Sequence, residues 1–405
     1  MGCNRQSTPS AFPGAALRKA RAHGTRALPA GRRGFGSAEE TVILYTQTML
    51  PHRARKGRGA VISPDGRFDA WQREAADDGW WQEDGEAPDT ELIIDSAKTV
   101  ITYNTSPDIP YDRSINPYRG CEHGCAYCFA RPSHAYLGLS SGLDFETKLA
   151  YKADAAATLR DELAKPGYVC RPVALGINTD AWQPVERRLR VTRGILEVLA
   201  ETRHPVTIVT KSALILRDLD LLADLARDGL AHVAVSITTL DPALARSLEP
   251  RAPSPQRRLS AIRELAAAGI PTAVMVAPLI PALADHEMEA ILGAAREAGA
   301  VSAGYILLRL PHEVKPLFRA WLEVHQPGRM EHVYSLMRQL HGGREYDSTF
   351  GSRQRGSGPL ADIIAQRFRS ATRRLGLAEP SLPLNLTAFR PPPRDVPPAP
   401  QMRLF

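Results

Sequence analysis

Residues 120–128 read Gly-Cys-Glu-His-Gly-Cys-Ala-Tyr-Cys, which places Cys121, Cys125 and Cys128 in a C-x3-C-x2-C arrangement. Three thiolates on one short loop can hold three corners of a cubane iron–sulfur cluster, and this leaves the fourth iron without a protein ligand. An open coordination position is typical of metal sites that perform chemistry, whereas structural sites are closed. Gly120 and Gly124 suit a loop that folds tightly around an inorganic core, because glycine tolerates backbone angles that other residues avoid.

The composition is that of a globular protein, with 43% hydrophobic and 23% charged residues and no apolar run long enough to cross a bilayer. The net charge of +7 is concentrated in residues 1–38, which contain seven arginines and lysines and no acidic residue. The remaining 44 basic residues equal the 44 acidic ones, so the high charge does not by itself indicate a nucleic-acid-binding protein. Five cysteines, three of them clustered, do not indicate a disulfide framework, and we expect a cytoplasmic protein without a membrane partner.

We predict four segments along the chain: a disordered basic tail (1–38), an irregular N-terminal arm (39–110), a core domain (111–312) and a helical C-terminal extension (313–405). The arm contains a basic stretch, 52–59, followed by an acidic stretch rich in tryptophan, 71–84. We favour a solvated arm that packs its tryptophans on the core. The alternative is an arm that covers an active site or contacts phosphates.

Short apolar, largely β-branched runs predict buried parallel strands. These runs are 172–177, 206–210, 232–237, 272–277 and 304–308. The segments between them predict helices at 154–163, 187–202, 219–227, 255–268 and 285–298, with Asp154 at a helix N-terminus. Such β-α units in series predict an α/β fold, a parallel sheet that curls into a partial (β/α)6 barrel similar to a TIM barrel.

The cysteine loop follows the first predicted strand, near 115–118, so it lies at the carboxyl ends of the strands, where such folds build their sites. Beyond residue 310, helices are predicted at 329–340 and 361–375. The segment 342–358 is rich in Gly, Arg and Ser, and we predict a mobile loop there.

A C-x3-C-x2-C loop after the first strand of a β/α barrel, with an aromatic residue (Tyr127) before the last cysteine, resembles the radical SAM superfamily over roughly residues 110–310. The resemblance implies a [4Fe–4S] cluster whose open iron is chelated by S-adenosylmethionine (SAM). It further implies reductive cleavage of SAM to a 5′-deoxyadenosyl radical that abstracts hydrogen from a substrate. An electron donor of the flavodoxin or ferredoxin type would supply the electron. We expect a monomer.

Within the superfamily, the cysteine loop and Gly-Ile-Asn-Thr-Asp at 176–180 resemble the spore photoproduct lyase-like branch, also called DNA repair photolyase-like. An uncharacterised bacterial subgroup is similar through Asn-Pro-Tyr-Arg-Gly-Cys at 116–121 and Ala-Arg-Pro-Ser-His-Ala-Tyr-Leu-Gly at 130–138.

This resemblance implies a SAM site at the ends of successive strands. Asn178, Thr179 and Asp180 would bind the SAM amino group, and Lys211 and Ser236 would reach its carboxylate. A lysine ammonium paired with a partly desolvated carboxylate is a strong interaction, which favours Lys211. Arg251 would contact the carboxylate or the ribose. The structural alternatives are a helix cap for Asp180 or Ser236, a surface charge for Lys211 and a loop anchor for Arg251.

Two departures from the spore photoproduct lyase pattern concern its hydrogen-returning residues. The branch has a cysteine at the end of the second strand, where this chain has Ile177 or Asn178, and a tyrosine directly after the third cluster cysteine, where this chain has Phe129. Cys170 begins the same strand, and we interpret it as a buried structural thiol at the opposite end of the barrel. Both departures weigh against reversal of a thymine dimer.

We therefore predict a radical SAM enzyme, lyase-like or transferase, whose reaction and substrate the sequence does not specify. A photoproduct lyase is one alternative. A non-catalytic zinc or iron–sulfur module is the other, with His123 or His134 as a fourth ligand. Nucleic acid competes with a peptide or a small molecule as substrate, and the basic residues near Arg55–Arg58 and in the C-terminal extension favour nucleic acid. The latter are Arg353, Arg355, Arg367, Arg369, Arg373 and Arg374.

Overall fold

The main sheet of the protein is assembled from β-α units, as the alternating apolar segments predict. A computed structural model describes residues 54–68, 89–379 and 383–393, which all belong to one compact unit. The basic tail (1–38) and the tryptophan-rich stretch (71–84) lie outside the described residues, as do 394–405. Within the described residues, no helix has the length and the apolar character needed to cross a membrane.

The strands of the described residues are β1 (Glu91–Ile94), β2 (Ile101–Tyr103), β3 (Arg113–Ile115), β4 (Tyr118–Arg119), β5 (Lys148–Tyr151), β6 (Val173–Leu175), β7 (Val206–Thr210), β8 (Ala231–Ser236), β9 (Thr272–Leu279) and β10 (Ser302–Leu307). The α-helices are α1 (Asp144–Thr147), α2 (Ala155–Leu163), α3 (Glu186–Leu189), α4 (Val191–Glu201), α5 (Leu219–Arg227), α6 (Pro242–Leu248), α7 (Pro255–Ala267), α8 (Met288–Glu297), α9 (Val314–His325), α10 (Met330–Leu340), α11 (Ser352–Arg355) and α12 (Pro359–Leu375). Short 3-10 helices span Arg131–Leu137, Ala213–Asp218, Asp285–Glu287 and Pro327–Arg329.

Six parallel strands form the barrel wall. The sheet runs in the order β10-β9-β8-β7-β6-β3-β2, and each neighbouring pair from β3 to β10 is parallel. β2 pairs antiparallel with β3 at the edge of this sheet. The partial (β/α)6 barrel and the helical C-terminal extension that we predicted are confirmed. Because all six parallel strands end at the same rim, the loops after them form one continuous surface.

The helices cover the sheet through amphipathic faces. In α5, whose bounds the sequence predicted to the residue, Leu222 and Leu225 are buried. α7 begins where the Ser254 hydroxyl accepts the backbone N–H of Arg257 and Pro255 occupies the first helical turn, a favourable start for a helix. The apolar faces of such helices and the Val- and Ile-rich strands share one core cluster. Burial of this cluster is the main contribution to the stability of the barrel.

The sequence predicted one continuous helix over 187–202, and this prediction is wrong. The segment 187–202 is divided into α3 and α4 at Arg190, whose φ is 53°. The buried carboxylate of Glu186 accepts the backbone N–H groups of Thr192 and Arg193, so it satisfies the first amides of α4 and requires the chain to turn there. Asp154 stands at the N-terminus of α2 as predicted, but its side chain makes no capping hydrogen bond.

The N-terminal arm is irregular over 54–68 and contributes strands further on. β1 pairs with β5 in a small sheet of order β1-β5-β4, and β2 extends the main sheet. The basic stretch of the arm is only partly solvated, because Arg58, Gly59 and Ala60 are buried. The domain boundaries stay predictions.

The segment 342–358, predicted as a mobile loop, contains α11 and is joined to both edges of the main sheet. Arg353 donates to both carboxylate oxygens of Asp108, at 2.6 and 2.5 Å, in the loop that follows β2. Arg355 lies over the ring of Tyr305 in β10, at 4.1 Å from the ring centroid. The segment therefore bridges the two edge strands of the open barrel.

A fully buried ion pair between Arg131 and Glu146 connects the arm to the cysteine loop. Arg131 donates to the carbonyl oxygens of Cys125 (3.0 Å) and Gly124 (3.2 Å) in that loop. The Glu146 carboxylate accepts the backbone N–H groups of Gly59 (3.1 Å) and Ala60 (2.8 Å) in the arm. The pair thus fixes three chain segments that are distant in sequence.

We expect the substitution Glu146→Gln to destabilise the protein by about 3–5 kcal/mol, because it leaves the Arg131 charge buried without its partner. Urea unfolding would measure the loss. Glu201→Gln, which removes the exposed partner of Arg160, is the matched control and should cost less than about 1 kcal/mol. Equal losses in the two variants would contradict the role of the buried pair.

Candidate functional site

The cysteine loop follows β4 and packs under the carboxyl ends of the strands. Cys121 and Cys125 are buried and Cys128 is partly exposed. The loop is anchored at both ends, because the N–H of Cys121 donates to the Phe145 carbonyl (2.9 Å) and that of Ala126 to the Leu248 carbonyl (2.9 Å). Gly120 has a φ of +84°, and a Cβ there would lie 2.9 Å from the Phe145 oxygen, so the turn into the loop requires glycine.

Gln183, in the loop after β6, holds the first cysteine on both sides. Its side-chain oxygen accepts the N–H of Glu122 (2.8 Å), and its side-chain nitrogen donates to the Gly120 carbonyl (3.2 Å). The Gln183 side chain is fully buried. Sequence reasoning missed the structural roles of Gln183 and of Arg131, although Arg131 lies in the quoted stretch 130–138, because the position of one polar residue in a sequence carries no signal of burial.

Burial is the main influence on the pKa values of the three thiols. It raises the pKa of Cys121 and of Cys128, and together with the charge of Glu249 it raises the pKa of Cys125 to about 12, while Lys211 opposes the increase. Coordination of thiolates would therefore release protons. Three sulfur donors, two buried and one partly exposed, on a loop that turns on glycine fit the ligand set of an iron–sulfur cluster.

The aromatic residue of the motif is held by a buried carboxylate. The Tyr127 hydroxyl donates to Glu249, which also accepts the Thr238 hydroxyl (2.8 Å) and pairs with the buried Arg258. Although burial raises the pKa of Glu249, the charges of Arg258 and Lys211 lower it to about 2. Glu249 is therefore an anion at neutral pH that fixes the ring of Tyr127 between Cys125 and Cys128.

Lys211 directly follows β7 and reaches the same ring. Its Nζ lies 5.8 Å from the ring centroid of Tyr127, within reach of a cation–π contact. Among the described residues, Lys211 has no ion-pair partner within 4.0 Å. An unpaired ammonium beside the cysteine loop is arranged to receive an anionic group.

The three residues predicted to bind the SAM amino group follow β6. The side chains of two of them, Thr179 and Asp180, form hydrogen bonds within the protein. The Asp180 carboxylate accepts the Thr210 hydroxyl (2.8 Å) and the N–H of Lys211 (2.8 Å), so it joins the ends of β6 and β7. The Thr179 hydroxyl donates to the Tyr118 carbonyl (2.7 Å), and the N–H of Asn178 donates to the Asn116 side chain (3.0 Å). The side chain of Asn178 is partly exposed at the rim.

Ser236 ends β8, and its carbonyl accepts from Arg258 at 3.2 Å. Arg251 contacts the cysteine loop at two points: its N–H donates to the His123 carbonyl (3.3 Å), and its guanidinium lies 3.2 Å from Glu122. The structure thus brings Tyr127 and Lys211 together, while Arg251 anchors the segment between the first two cysteines. Their roles toward SAM stay predictions.

Both histidines proposed as a fourth zinc ligand face other groups. The Nε2 of His134 lies 2.9 Å from the Lys148 carbonyl. The Nδ1 of His123 lies 3.5 Å from the Asp180 carboxylate. In the described ranges, no three His, Cys, Asp or Glu side chains are grouped closely enough to hold a single metal ion. An iron–sulfur cluster is larger than a single ion, so its ligands can lie further apart.

Exposed aromatic side chains and arginines line the rim beyond Cys128. The Arg309 guanidinium, after β10, lies 4.9 Å from the ring centroid of Phe129. Arg67 lies over the rings of Phe68 (5.4 Å) and Tyr136 (5.7 Å). Arg67 also lies 3.1 Å from Glu313, so it contacts the segment after β10 that contains Arg309. We call these five residues the aromatic–arginine rim.

Cys170 lies at the amino end of β6, near Arg113, the first residue of β3. It is therefore at the opposite end of the strands from the cysteine loop, as we predicted. Its side chain is half-buried rather than buried, because the segment 168–172 runs along the surface before β6 begins.

The family model of the radical SAM superfamily matches residues 115–295. An uncharacterized protein of Mycobacterium tuberculosis is 40% identical over 233 residues, which cover 57% of this chain and 68% of that protein. An uncharacterized protein of Methanocaldococcus jannaschii is 30% identical over 200 residues, covering 49% of this chain and 71% of that protein. A spore photoproduct lyase complexed with a dinucleoside spore photoproduct has a TM-score of 0.48 at 17% identity, covering 70% of this chain and 78% of the other. We draw no conclusion from that last similarity.

The match begins at the last residue of β3 and ends in α8, so it includes the cysteine loop and four complete strands of the six parallel ones. The relative from Mycobacterium tuberculosis is covered over more than two thirds of its length. From the sequence identity, the family match and the barrel with its cysteine loop, we conclude that this chain belongs to the radical SAM superfamily.

Proposed function

We propose that this protein binds a [4Fe–4S] cluster and SAM, cleaves SAM reductively, and uses the resulting 5′-deoxyadenosyl radical to abstract hydrogen from a substrate. Superfamily membership makes the chain an enzyme and implies both cofactors. The observation that carries the proposal is the group of three thiols, two buried and one partly exposed, near the Lys211 ammonium, which has no ion-pair partner among the described residues. When bound, the cofactors supply the electron and the radical, while the protein supplies placement and shields the site from water.

In this proposal the side chains have separate tasks. Cys121, Cys125 and Cys128 hold the cluster, and the Glu249 anion keeps the ring of Tyr127 in position against the SAM molecule. Lys211 pairs with the SAM carboxylate. Asp180 orients Lys211 by accepting its backbone N–H. Asn178, whose side chain is partly exposed at the rim, is the remaining candidate for the SAM amino group.

We expect anaerobic reconstitution with iron and sulfide, followed by reduction with dithionite, to yield 5′-deoxyadenosine from SAM, measured by chromatography. Replacing any of Cys121, Cys125 or Cys128 by Ala should remove the iron–sulfur absorbance and lower the yield by at least about 1000-fold, because the radical cannot form without the cluster. Cys170→Ala is the matched control, since Cys170 lies at the opposite end of the strands, and it should keep both signals.

A colourless protein that retains zinc and leaves SAM intact would contradict this proposal and support the non-catalytic metal module.

We expect Lys211→Met to raise the Kd for SAM by about 10- to 100-fold, because a hydrogen bond between charged groups contributes about 1.5–3 kcal/mol. Lys211→Arg should recover part of the affinity. Calorimetry with the reconstituted, unreduced protein would measure binding apart from turnover, and the iron content serves as the control for an intact cluster. Unchanged affinity in Lys211→Met would remove Lys211 from the SAM site.

We further propose that the substrate is a nucleic acid, recognised through unpaired nucleotides at the aromatic–arginine rim. Aromatic rings stack on bases and arginines neutralise phosphates, and the combination is typical of sites that bind single strands. Phe129 is 41% exposed and directly follows Cys128, so a base stacked on it would lie next to the radical source. This support is local, and it does not depend on the basic tail.

The C-terminal arginines offer less support than the sequence suggested. Arg353 pairs with Asp108 and Arg367 with Glu289, so both stabilise the fold. Arg369, Arg373 and Arg374 are exposed on α12, which packs against α8 on the outside of the barrel.

A photoproduct lyase reaction remains the less favoured alternative. The chain has Ile177 and Asn178 where the resemblance implies a hydrogen-donor cysteine, and Cys170 lies at the far end of β6. Phe129 lacks the hydroxyl that would return a hydrogen atom. A lyase-like or transferase outcome with another hydrogen source is compatible with the same site.

We expect a fluorescent single-stranded oligonucleotide to bind with a Kd that rises steeply with salt, because phosphate contacts release counterions. Phe129→Ala should weaken binding by about 5- to 150-fold at every salt concentration, since stacking contributes about 1–3 kcal/mol per base. Arg309→Gln should reduce the salt slope by about one unit. Phe350→Ala, an exposed aromatic outside the rim, is the control.

Affinity that disappears with removal of residues 1–38, or that is unaffected by Phe129→Ala, would contradict the proposed substrate.

A further inference from the structure

A cleft of about 420 Å³ reaches the cysteine loop at His123. Three arginines, Arg187, Arg251 and Arg257, line it together with His123 and Ser212. Of the residues predicted to contact SAM, only Arg251 lines this cleft. Tyr127 and Lys211 do not line the cleft, although Ser212, which follows Lys211 in the chain, does.

The cleft reaches the cysteine loop directly. His123 is located between Cys121 and Cys125, and its backbone carbonyl accepts the N–H of Arg251. Arg251 also pairs with Glu122, the residue that follows Cys121. A molecule bound in the cleft would thus contact the loop that carries the cluster ligands.

The cleft carries an excess of positive charge, although the charges of the chain outside its tail balance. Within the described part of the chain, Arg187 has no ion-pair partner, and Arg188 beside it is exposed. Arg257 is 58% exposed and lies 3.8 Å from Glu264, at the limit of an ion pair. Of the arginines that line the cleft, Arg251 is the one that pairs with Glu122. We call Arg187, Arg188, Arg251 and Arg257 the basic face.

We propose that the basic face docks a small acidic one-electron carrier protein of the flavodoxin or ferredoxin type. This inference depends on the proposed function, because reductive cleavage of SAM consumes one electron. The reduced carrier loses one electron and the cluster gains it, and no bond or proton is exchanged in that step. Exposed charges at such a surface speed the encounter and select the partner more than they increase its affinity.

Two features favour an acidic protein over a nucleic acid at this face. Among the described residues that line the cleft, the rings are those of Trp182 and His123, and both are buried, so neither offers an exposed face for a base to stack on. The exposed aromatic side chains of the rim belong to residues that do not line the cleft. The rim and the cleft therefore offer different chemistry: the rim has exposed rings together with arginines, and the cleft has arginines without an exposed ring.

The test is a double charge reversal, Arg187→Glu with Arg257→Glu, in the full-length, reconstituted protein. Both residues are exposed, and neither is among the predicted SAM contacts. Binding of a bacterial flavodoxin is measured by calorimetry at low and high salt. Formation of 5′-deoxyadenosine is measured with two reductants, reduced flavodoxin and dithionite. Arg369→Glu with Arg373→Glu, on α12, makes the same change in net charge outside the basic face.

We expect the Kd for flavodoxin to rise about tenfold in the Arg187 and Arg257 variant at low salt and the difference to shrink at high salt. Flavodoxin-driven turnover should fall with it, whereas dithionite-driven turnover should match the wild-type protein. The control variant should behave like the wild type.

Unchanged flavodoxin affinity in the Arg187 and Arg257 variant would overturn the inference, as would an equal loss in the control variant. Loss of binding to an oligonucleotide or to inorganic phosphate, with flavodoxin binding retained, would assign the face to that ligand instead and overturn it too. Failure of the proposed function has a different signature, because the wild-type protein would then leave SAM intact even with dithionite.

Discussion

The buried pair of Arg131 and Glu146 is the interaction on which the geometry of the cysteine loop depends. Arg131 holds the loop through the carbonyls of Gly124 and Cys125, and Glu146 holds the arm through the amides of Gly59 and Ala60. The contact is so close that a Cβ on Gly59 would lie 1.8 Å from the Gly124 oxygen. Since a buried charge without its partner is costly, the loop and the arm are stable only together.

A second buried carboxylate, Glu249, organises the side of the loop that faces Lys211. It accepts from Tyr127 and Thr238 and pairs with Arg258, which keeps it ionised inside the protein. Lys211 is left without a carboxylate of its own among the described residues, so its charge is available to a ligand. Elsewhere on the loop, the N–H of Arg251 donates to the His123 carbonyl. One short loop thus contacts both the residues that we assign to SAM and the basic face that we assign to an electron carrier.

The fold was largely predictable because strands and helices of a β/α barrel carry their own periodic patterns. β7 and α5 were predicted to the residue, and the cysteine spacing indicated the superfamily. The break at Arg190 was not predictable, because the residue that causes it, Glu186, acts through a carboxylate folded back onto α4. The predicted roles of Thr179 and Asp180 toward SAM compete with hydrogen bonds to Tyr118, Thr210 and Lys211 that depend on how strands lie side by side.

By itself, the sequence determined the fold class, the three sulfur donors and their position at the carboxyl ends of the strands, because each is a matter of local spacing or periodicity. The tertiary structure decided which charges are paired and which are available. Arg353 and Arg367 are paired in the fold, whereas Lys211 and Arg187 have no ion-pair partner among the described residues. Pairing depends on distances between residues far apart in the chain, and no local pattern in a sequence encodes such a distance.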